Sequence, residues 1–303
     1  MADAVLVTGA GGFVGRHVVA DLTRRGIPHR AVDHRWQSPA ELARLVAEAS
    51  PVARCIHLGW HADPADYLVA VGPNALSLAD TLALARLLDE AGCATLVVAG
   101  TSAEYAPAPG PVAEDAVVRP TTVYGSAKAL CHELLRTRHR PARTRVAWAR
   151  IFNVIGPGEP PGRILPTVAR ALLSGAPVDL TTGTQVRDYV DVRDVAVALV
   201  AIALADVEGP VNVSTGTPRT LRSALEGLAR HAGDISSLHF GARASGPGEN
   251  MYLVGRNDRL RTATAWQPSF EFEQTLVDVI TWWRSEGGGA PSAHRPHGPQ
   301  ETR

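Results

Sequence analysis

The chain has 303 residues, 45% hydrophobic and 20% charged, too apolar for a disordered protein and long enough for one large α/β domain or a large and a small one. Lys+Arg and Asp+Glu balance at 30 each, so no global field favours nucleic acid or an anionic membrane, and any anion recognition must be local. Cys55, Cys93 and Cys131 stand far apart with no CxxC pair, no apolar run reaches ~18 residues, and the N-terminus enters a strand without a signal segment. A cytoplasmic protein with reduced thiols, no metal, no nucleic-acid partner and no membrane span is expected.

In chain order, "AVLVTG" (4–9), "HRAVD" (29–33), "ARCIHLG" (53–59), "ATLVVAG" (94–100) and "RVAWARIFN" (145–153) read as short apolar strands. Helical stretches lie between them at 13–26, 39–50, 74–91 and 123–139. Such alternation predicts an α/β fold with a doubly wound, Rossmann-type parallel sheet. From about residue 156 a Pro/Gly loop, "GPGEPPGRILP", changes the texture, and helices are expected at 165–175, 219–232 and 271–284. This divides the chain into a dinucleotide-binding unit over 1–155, with 188–216 returning to it, and a smaller C-terminal α/β unit over 156–187 and 217–285. The tail 286–303 is low-complexity and expected to be disordered.

"VTGAGGFVG" places Gly9, Gly12 and Gly15 at G-x-x-G-x-x-G spacing after the first strand, with Phe13 and Val14 opening a helix. Glycines allow a tight turn there, and backbone N–H groups can approach a pyrophosphate at the helix N-terminus. Asp33 ends the second strand where an acid would meet a ribose 2′-hydroxyl and repel a 2′-phosphate, which favours NAD(H). Arg30 and Arg35 flank it and could instead hold the phosphate of NADP(H). Leu58 and Gly59, in "HLGW" at the end of a central strand, are further cofactor-binding candidates; the neighbouring His57 and His61 read as core or loop residues. The span between Asp33 and the next strand is too short for a clear extra strand, so adenine contacts are not assignable.

Tyr124 and Lys128 in "YGSAKAL" lie one helical turn apart on one face. By spacing alone they are an ordinary helix pair. Yet "TGAGGFVG", "HLGW", "GTSAEYA", "YGSAK", "RIFNVIGPG" and "VRDYVDVRDVA" occur in an order that resembles the extended short-chain dehydrogenases/reductases, the NAD-dependent epimerase/dehydratase family, over roughly 4–284. Within it, "RIFNVIGPGE", "VRDYVDVRD" and "NDRLRTATAWQP" look most like reductases of nucleotide-linked 4-keto-6-deoxyhexoses, the GDP-linked rhamnose-forming type in particular.

The resemblance implies that Tyr124 is the general acid, that Lys128 lowers its pKa and reaches the cofactor ribose, and that Thr101, or Ser102 beside it, hydrogen-bonds the reacting oxygen. Ala103 stands where related dehydratases carry a carboxylate, and Glu104 in a strand-like segment would face away, which disfavours dehydration. Ala106 replaces the glycine usual after Tyr105. Asn153 and Arg187 would hold the substrate diphosphate, with Arg243 adding to the nucleotide site, although Arg187 could instead pair with Asp188 or Asp191. Asn74 reads as a helix N-cap, though the family has an asparagine near its active site at this place. The function expected is an NAD(P)H-dependent ketoreductase on a dTDP-, GDP- or UDP-linked sugar. The alternatives are a 4-epimerase with bound NAD and a silent dinucleotide sensor. A homodimer through the 74–91 and 124–139 helices is the expected assembly.

Overall fold

The computed structural model describes residues 4–33, 38–138, 144–205, 207–233, 235–244, 246 and 250–286. In chain order the elements are β1 (Val5–Thr8), α1 (Phe13–Arg24), β2 (His29–Val32), α2 (Pro39–Ala49), β3 (Arg54–His57), α3 (Val71–Glu90), β4 (Thr95–Thr101), α4 (Val123–Thr137) and β5 (Arg145–Ile151). There follow β6 (Asn153–Ile155), α5 (Ile164–Ser174), β7 (Val178–Leu180), β8 (Val186–Asp191), α6 (Val192–Leu204) and β9 (Gly209–Val213). The last are β10 (Pro218–Thr220), α7 (Leu221–Ala232), β11 (Leu238–Phe240), β12 (Tyr252–Leu253), α8 (Asp258–Thr264) and α9 (Phe272–Ser285).

Six strands form one parallel sheet in the order β2-β1-β3-β4-β5-β9. Successive residues of each strand feed opposite cores, because side chains alternate across the pleat. Val5, Val7, Ile56, Val97, Ala147 and Ala149 pack with Val18 and Leu22 of α1 and Val195 and Leu199 of α6. Leu6, Cys55, Leu96, Val98 and Trp148 pack on the other side with Leu42, Leu84, Leu88, Cys131 and Leu135. Burying each of these leucines is worth ~1.5–3 kcal/mol. Truncating the fully buried Trp148 to alanine would cost ~3–5 kcal/mol.

From β1 the chain turns one way to β2 and then crosses to β3 on the other side. The crevice at this reversal, outside the carboxyl ends of β1 and β3, is where open α/β sheets take ligands. α2 alone fills the connection from β2 to β3 among the described residues, and β2 is the edge of the sheet.

The strand expected over 145–153 does not run through. Phe152 gives its amide to Val213 O at 3.1 Å, and the chain leaves the large sheet there. β6 then joins β8, which is flanked by β10 and β12. α5, α7 and α9 close a third core around Leu165, Leu172, Leu225, Leu228 and Leu276. After β8, α6 packs on α1, and β9 rejoins the large sheet beside β5. The tail expected to be disordered lies outside the described residues from 287 onward. Among the described residues no helix is long and apolar enough to cross a membrane, and no His/Cys/Asp/Glu group could hold a metal ion.

Candidate active site

The glycine turn is built against backbone. Gly9 takes φ +69°, and a Cβ on it would stand 2.8 Å from the Leu58 carbonyl carbon and the Gly59 nitrogen. Leu58 in turn gives its amide to Thr8 O at 3.0 Å, locking the ends of β1 and β3 together. A Cβ on Gly15 would lie 2.0 Å from Gly9 O, so the first turn of α1 rests directly on the loop. Gly12 caps α1 with no side-chain hydrogen bond, leaving the amides of Phe13 and Val14 without a side-chain acceptor at the positive end of the helix dipole. The Asp33 side chain lies over Gly11, whose Cβ would come within 3.0 Å of Asp33 Cβ. Arg30 is committed to Glu48, at 2.8 Å, and Arg35 lies outside the described residues.

At the carboxyl end of β4, the chain enters a short 3-10 turn, Ser102–Glu104. Thr101 caps it, its Oγ1 accepting from Ala103 N at 3.2 Å. The Tyr124 phenol lies near enough to the Thr101 side chain for Thr101 to favour its ionised form. α4 brings Tyr124 there: Thr122 caps the helix by accepting from Gly125 N at 3.0 Å, and the Tyr124 amide donates to Leu68 O. Burial pushes the Tyr124 phenol up from its ordinary value; Thr101 acts against it, Tyr67 and Glu104 add to it, and Arg163 opposes it. Lys128, one turn on, is 2% exposed, and burial lowers its ammonium to about 7. Its Nζ donates to Ala99 O at 2.6 Å and sits 5.8 Å from the Tyr124 ring centroid. Ser102 is buried beside Thr101.

Glu104 lies in this 3-10 turn rather than the strand-like segment expected. Its carboxylate is fully buried and bound by Thr101 N at 2.8 Å, Trp148 Nε1 at 2.9 Å and Arg150 Nε at 2.8 Å. It is thereby withheld from the face that carries Tyr124. His57 is equally enclosed. Thr81 Oγ1 spends its proton on Ser77 O and accepts from His57 Nε2 at 2.9 Å, so Nδ1 is the acceptor for Thr8 Oγ1 at 2.6 Å. Burial, with the Lys128 charge, lowers this imidazole to about 3 and keeps it neutral.

The expected N-cap at Asn74 is corrected by the structure. α3 begins three residues earlier, at Val71, and Asn74 is wholly buried within its first turn. Its Nδ2 donates to Tyr67 O and Ala70 O, both at 2.8 Å, and its Oδ1 accepts from Trp60 Nε1 at 2.8 Å. Trp60 and Tyr67 both stand edge-on to the Tyr124 ring, at centroid distances of 6.5 and 5.1 Å.

In the smaller sheet, Asn153 on β6 is in register with Tyr189 on β8, two residues beyond Arg187 on the same strand face. Asn153 Nδ2 donates to Asp188 O at 3.5 Å, and Arg187 Nη1 to Val186 O at 3.0 Å. Asp188 is occupied by Thr215, Gly216 and Gly255, and Asp191 by Arg193 and Thr275. The Arg187 and Glu159 charges both act on the Tyr189 phenol, which burial pushes up to about 12. Glu159 pairs with Arg163 at 2.9 Å, and Arg163 acts on Tyr124. Arg243 is exposed past β11, its amide donating to Leu180 O at 3.0 Å.

The structure therefore brings Thr101, Ser102, Tyr124 and Lys128 together beside the glycine turn. Trp60, Tyr67, Glu159 and Arg163 belong to the same neighbourhood; Trp60 and Glu159 end the stretches "HLGW" and "RIFNVIGPGE", but no role was read for either, and Tyr67 and Arg163 lie in none of the family motifs. One compositional signal was present: Lys128 is the single lysine in the sequence, against 29 arginines.

Comparison with known proteins follows this geometry. A UDP-glucose 4-epimerase of Azospirillum brasilense is 28% identical over 97% of this chain and 96% of its own length. A GDP-6-deoxy-D-mannose reductase of Pseudomonas aeruginosa is also 28% identical, over 94% of this chain and 98% of the relative. Among solved structures, MoeE5 in complex with UDP-glucose and NAD superposes with a TM-score of 0.82 at 27% identity, over 93% of this chain and 99% of that one. RMD from Pseudomonas aeruginosa complexed with NADPH gives 0.83 at 25%, with the same coverage of both chains. The sequence profile of the NAD dependent epimerase/dehydratase family matches residues 5–214, and the chain belongs to that family of NAD(P)-dependent nucleotide-sugar enzymes.

Proposed function

We propose that the protein is an NAD(P)H-dependent ketoreductase that reduces the 4-keto group of a nucleotide-linked 4-keto-6-deoxy sugar. The observation that carries this reading is the meeting at the end of β4 of the Thr101 hydroxyl, the Tyr124 phenol and the buried Lys128 ammonium, which lies 5.8 Å from the Tyr124 ring centroid. A protonated tyrosine is ready to give a proton to a carbonyl oxygen that is gaining an electron pair.

The glycine turn fits a dinucleotide, because side chains there would fill the space that backbone amides need. Gly9, Gly12 and Gly15, with the amides of Phe13 and Val14, would hold its diphosphate. Asp33 would take ribose hydroxyls, which favours NAD(H) over NADP(H), and Leu58 and Gly59 would border the nicotinamide end. When bound, the reduced dinucleotide supplies a hydride to the sugar carbon. Tyr124 delivers the proton, Thr101 orients the oxygen with Ser102 beside it, and Lys128 contributes positive charge at the same place. Asn153 and Arg187 would bind the sugar nucleotide's diphosphate, with Arg243 at the nucleotide's far side. Ala103 has no carboxylate, and that of Glu104, which accepts the Thr101 amide, is also taken by Trp148 and Arg150, which argues against its removing an α-proton and so against dehydration.

The second reading is a 4-epimerase that returns the hydride to the opposite face, favoured by the likeness to UDP-glucose 4-epimerases. Assay of purified protein with NADH or NADPH and GDP-, dTDP- and UDP-linked 4-keto-6-deoxy sugars separates the two. Consumption of reduced nicotinamide on a keto sugar is expected. Tightly bound NAD⁺, no such consumption, and interconversion of UDP-glucose with UDP-galactose would replace the reductase by the epimerase. Tyr124→Phe should lower turnover ~10²–10⁴-fold with dinucleotide affinity retained; full turnover in that variant would defeat both mechanisms.

A further inference from the structure

Three contacts converge on Trp60, a residue given no role above. Lys128 Nζ lies 3.7 Å from the centroid of its ring. Its indole N–H donates to Asn74 Oδ1 at 2.8 Å. Its ring meets Tyr124 edge-on, at 81°. We infer that Trp60 is a positioning residue of the active site: its indole face seats the Lys128 ammonium beside Tyr124, and Asn74 fixes the ring that does so.

An ammonium has three donors and no acceptor. One Lys128 donor is satisfied by Ala99 O at 2.6 Å. Among the described residues no carboxylate pairs with the ammonium, and Glu104 and Cys131 act on it only through space. From β3 comes His57, held neutral between Thr8 and Thr81. From α4 itself come Tyr124, protonated, and the Cys131 thiol, pushed up to about 11 by burial. From the 3-10 turn comes Glu104, whose oxygens are bound by Thr101, Trp148 and Arg150. Among the described residues two rings face the ammonium, and the indole is the nearer, 3.7 Å against 5.8 Å for Tyr124; tryptophan is also the side chain whose face attracts a cation most strongly. It therefore offsets part of the desolvation that lowers Lys128.

Asn74 leaves the ring little freedom. Both its N–H donors are used by Tyr67 O and Ala70 O, so its oxygen must point to the indole N–H. The same amide therefore anchors Trp60 and the backbone of Tyr67, the two rings that flank Tyr124. A cation held this way is pre-positioned before any ligand arrives. What the cation is for rests on the proposed function; the seat itself does not.

Because Lys128 is the only lysine, lysine-selective ¹³C labelling of the full chain yields one ε-methylene signal. NMR titrations of the unliganded wild type, Trp60→Phe and Trp60→Leu test the seat. The wild-type ε-protons should be displaced upfield by the indole ring current, and in Trp60→Leu return to the position of free lysine. The Lys128 midpoint should fall by about half to one and a half pH units in Trp60→Leu and by less in Trp60→Phe. The high-pH limb of kcat/KM should move with it, and Trp60→Phe should recover more activity than Trp60→Leu. An undisplaced wild-type signal overturns the inference even if the leucine variant fails to fold. So does an unchanged midpoint in a folded Trp60→Leu. If the NMR results hold while no keto sugar is turned over, the proposed function fails and the seat stands.

Discussion

Arg150 Nε lies 2.8 Å from Glu104 Oε2, with side-chain exposures of 3% and 0%. Both ends of this ion pair are occupied, Glu104 by Trp148 and Arg150 by Tyr105 and the Glu114 carbonyl. Tyr105 passes its own proton to Asn212 at 2.6 Å. Because Glu104 also accepts the Thr101 amide, the pair fixes the turn that presents the Thr101 hydroxyl to Tyr124.

Arg150→Met would strand a charged carboxylate in the interior. A stability loss of ~3–5 kcal/mol is expected in chemical or thermal unfolding. The double variant Arg150→Met/Glu104→Gln should recover part of it, since the stranded charge is gone. A single-variant loss under ~1 kcal/mol would show that other contacts hold the turn.

Gly15→Ala places a methyl 2.0 Å from Gly9 O and 2.8 Å from Ala10 Cα, both backbone atoms that cannot swing aside. The loop must open, and dinucleotide binding, read as quenching of tryptophan fluorescence by NADH, should be lost. Gly26 is the control. It takes φ +66° but has nothing within 4 Å of its Cβ direction, so Gly26→Ala should cost ~1 kcal/mol of stability and leave binding unchanged.

The large sheet was legible because each strand is a brief apolar run between amphipathic helices, with glycines marking the first turn. The break at Phe152 was not, since "RVAWARIFN" is continuous in sequence and the strand ends where the Val213 carbonyl, far along the chain, takes the Phe152 amide. Asn74 misled for a related reason: local rules read asparagine as a cap, while its partner Trp60 lies fourteen residues upstream. Glu104 was expected to turn away as a strand residue would. It turns away because a buried arginine draws it in. Thr101, Tyr124 and Lys128 could be found as motifs with roles, whereas Trp60 and Glu159 stand in quoted motifs without a role, and their placement beside the tyrosine, like that of Arg163, comes only through folding.

Glu159 offers a pH test. It is 3% exposed, and burial pushes its carboxyl from the ordinary 4.5 to about 7, against the downward pull of Arg163. Its Oε2 has no hydrogen-bond partner. A carboxyl raised in the folded state contributes stability below its unfolded value and loses it as pH rises through the folded value. The wild type should therefore lose stability between about pH 5 and 8, a window set by the two values above. Glu159→Gln has no proton to lose there. Its Tm should gain on the wild type across that window, by a few degrees at the upper end. A gap that stays constant with pH would show that Glu159 does not titrate in this range.

Assembly is read from the leucines that α3 and α4 leave uncovered. Leu76 on α3 is 59% exposed, and Leu130 and Leu134, one turn apart on α4, are 52% and 40% exposed. The two helices pack side by side, so the three leucines extend over adjoining helix surfaces. We propose that a second copy of the chain covers these leucines by a two-fold contact. Light scattering of the wild type should give twice the 32.1 kDa chain mass. Leu130→Asp/Leu134→Asp should give the monomer, because two charges cannot enter an apolar interface unpaired. Leu130 and Leu134 lie on the helix that carries Tyr124 and Lys128, so turnover should fall with dimer dissociation rather than track the substitutions themselves. A wild type that scatters as a monomer at all concentrations would remove this face as an interface.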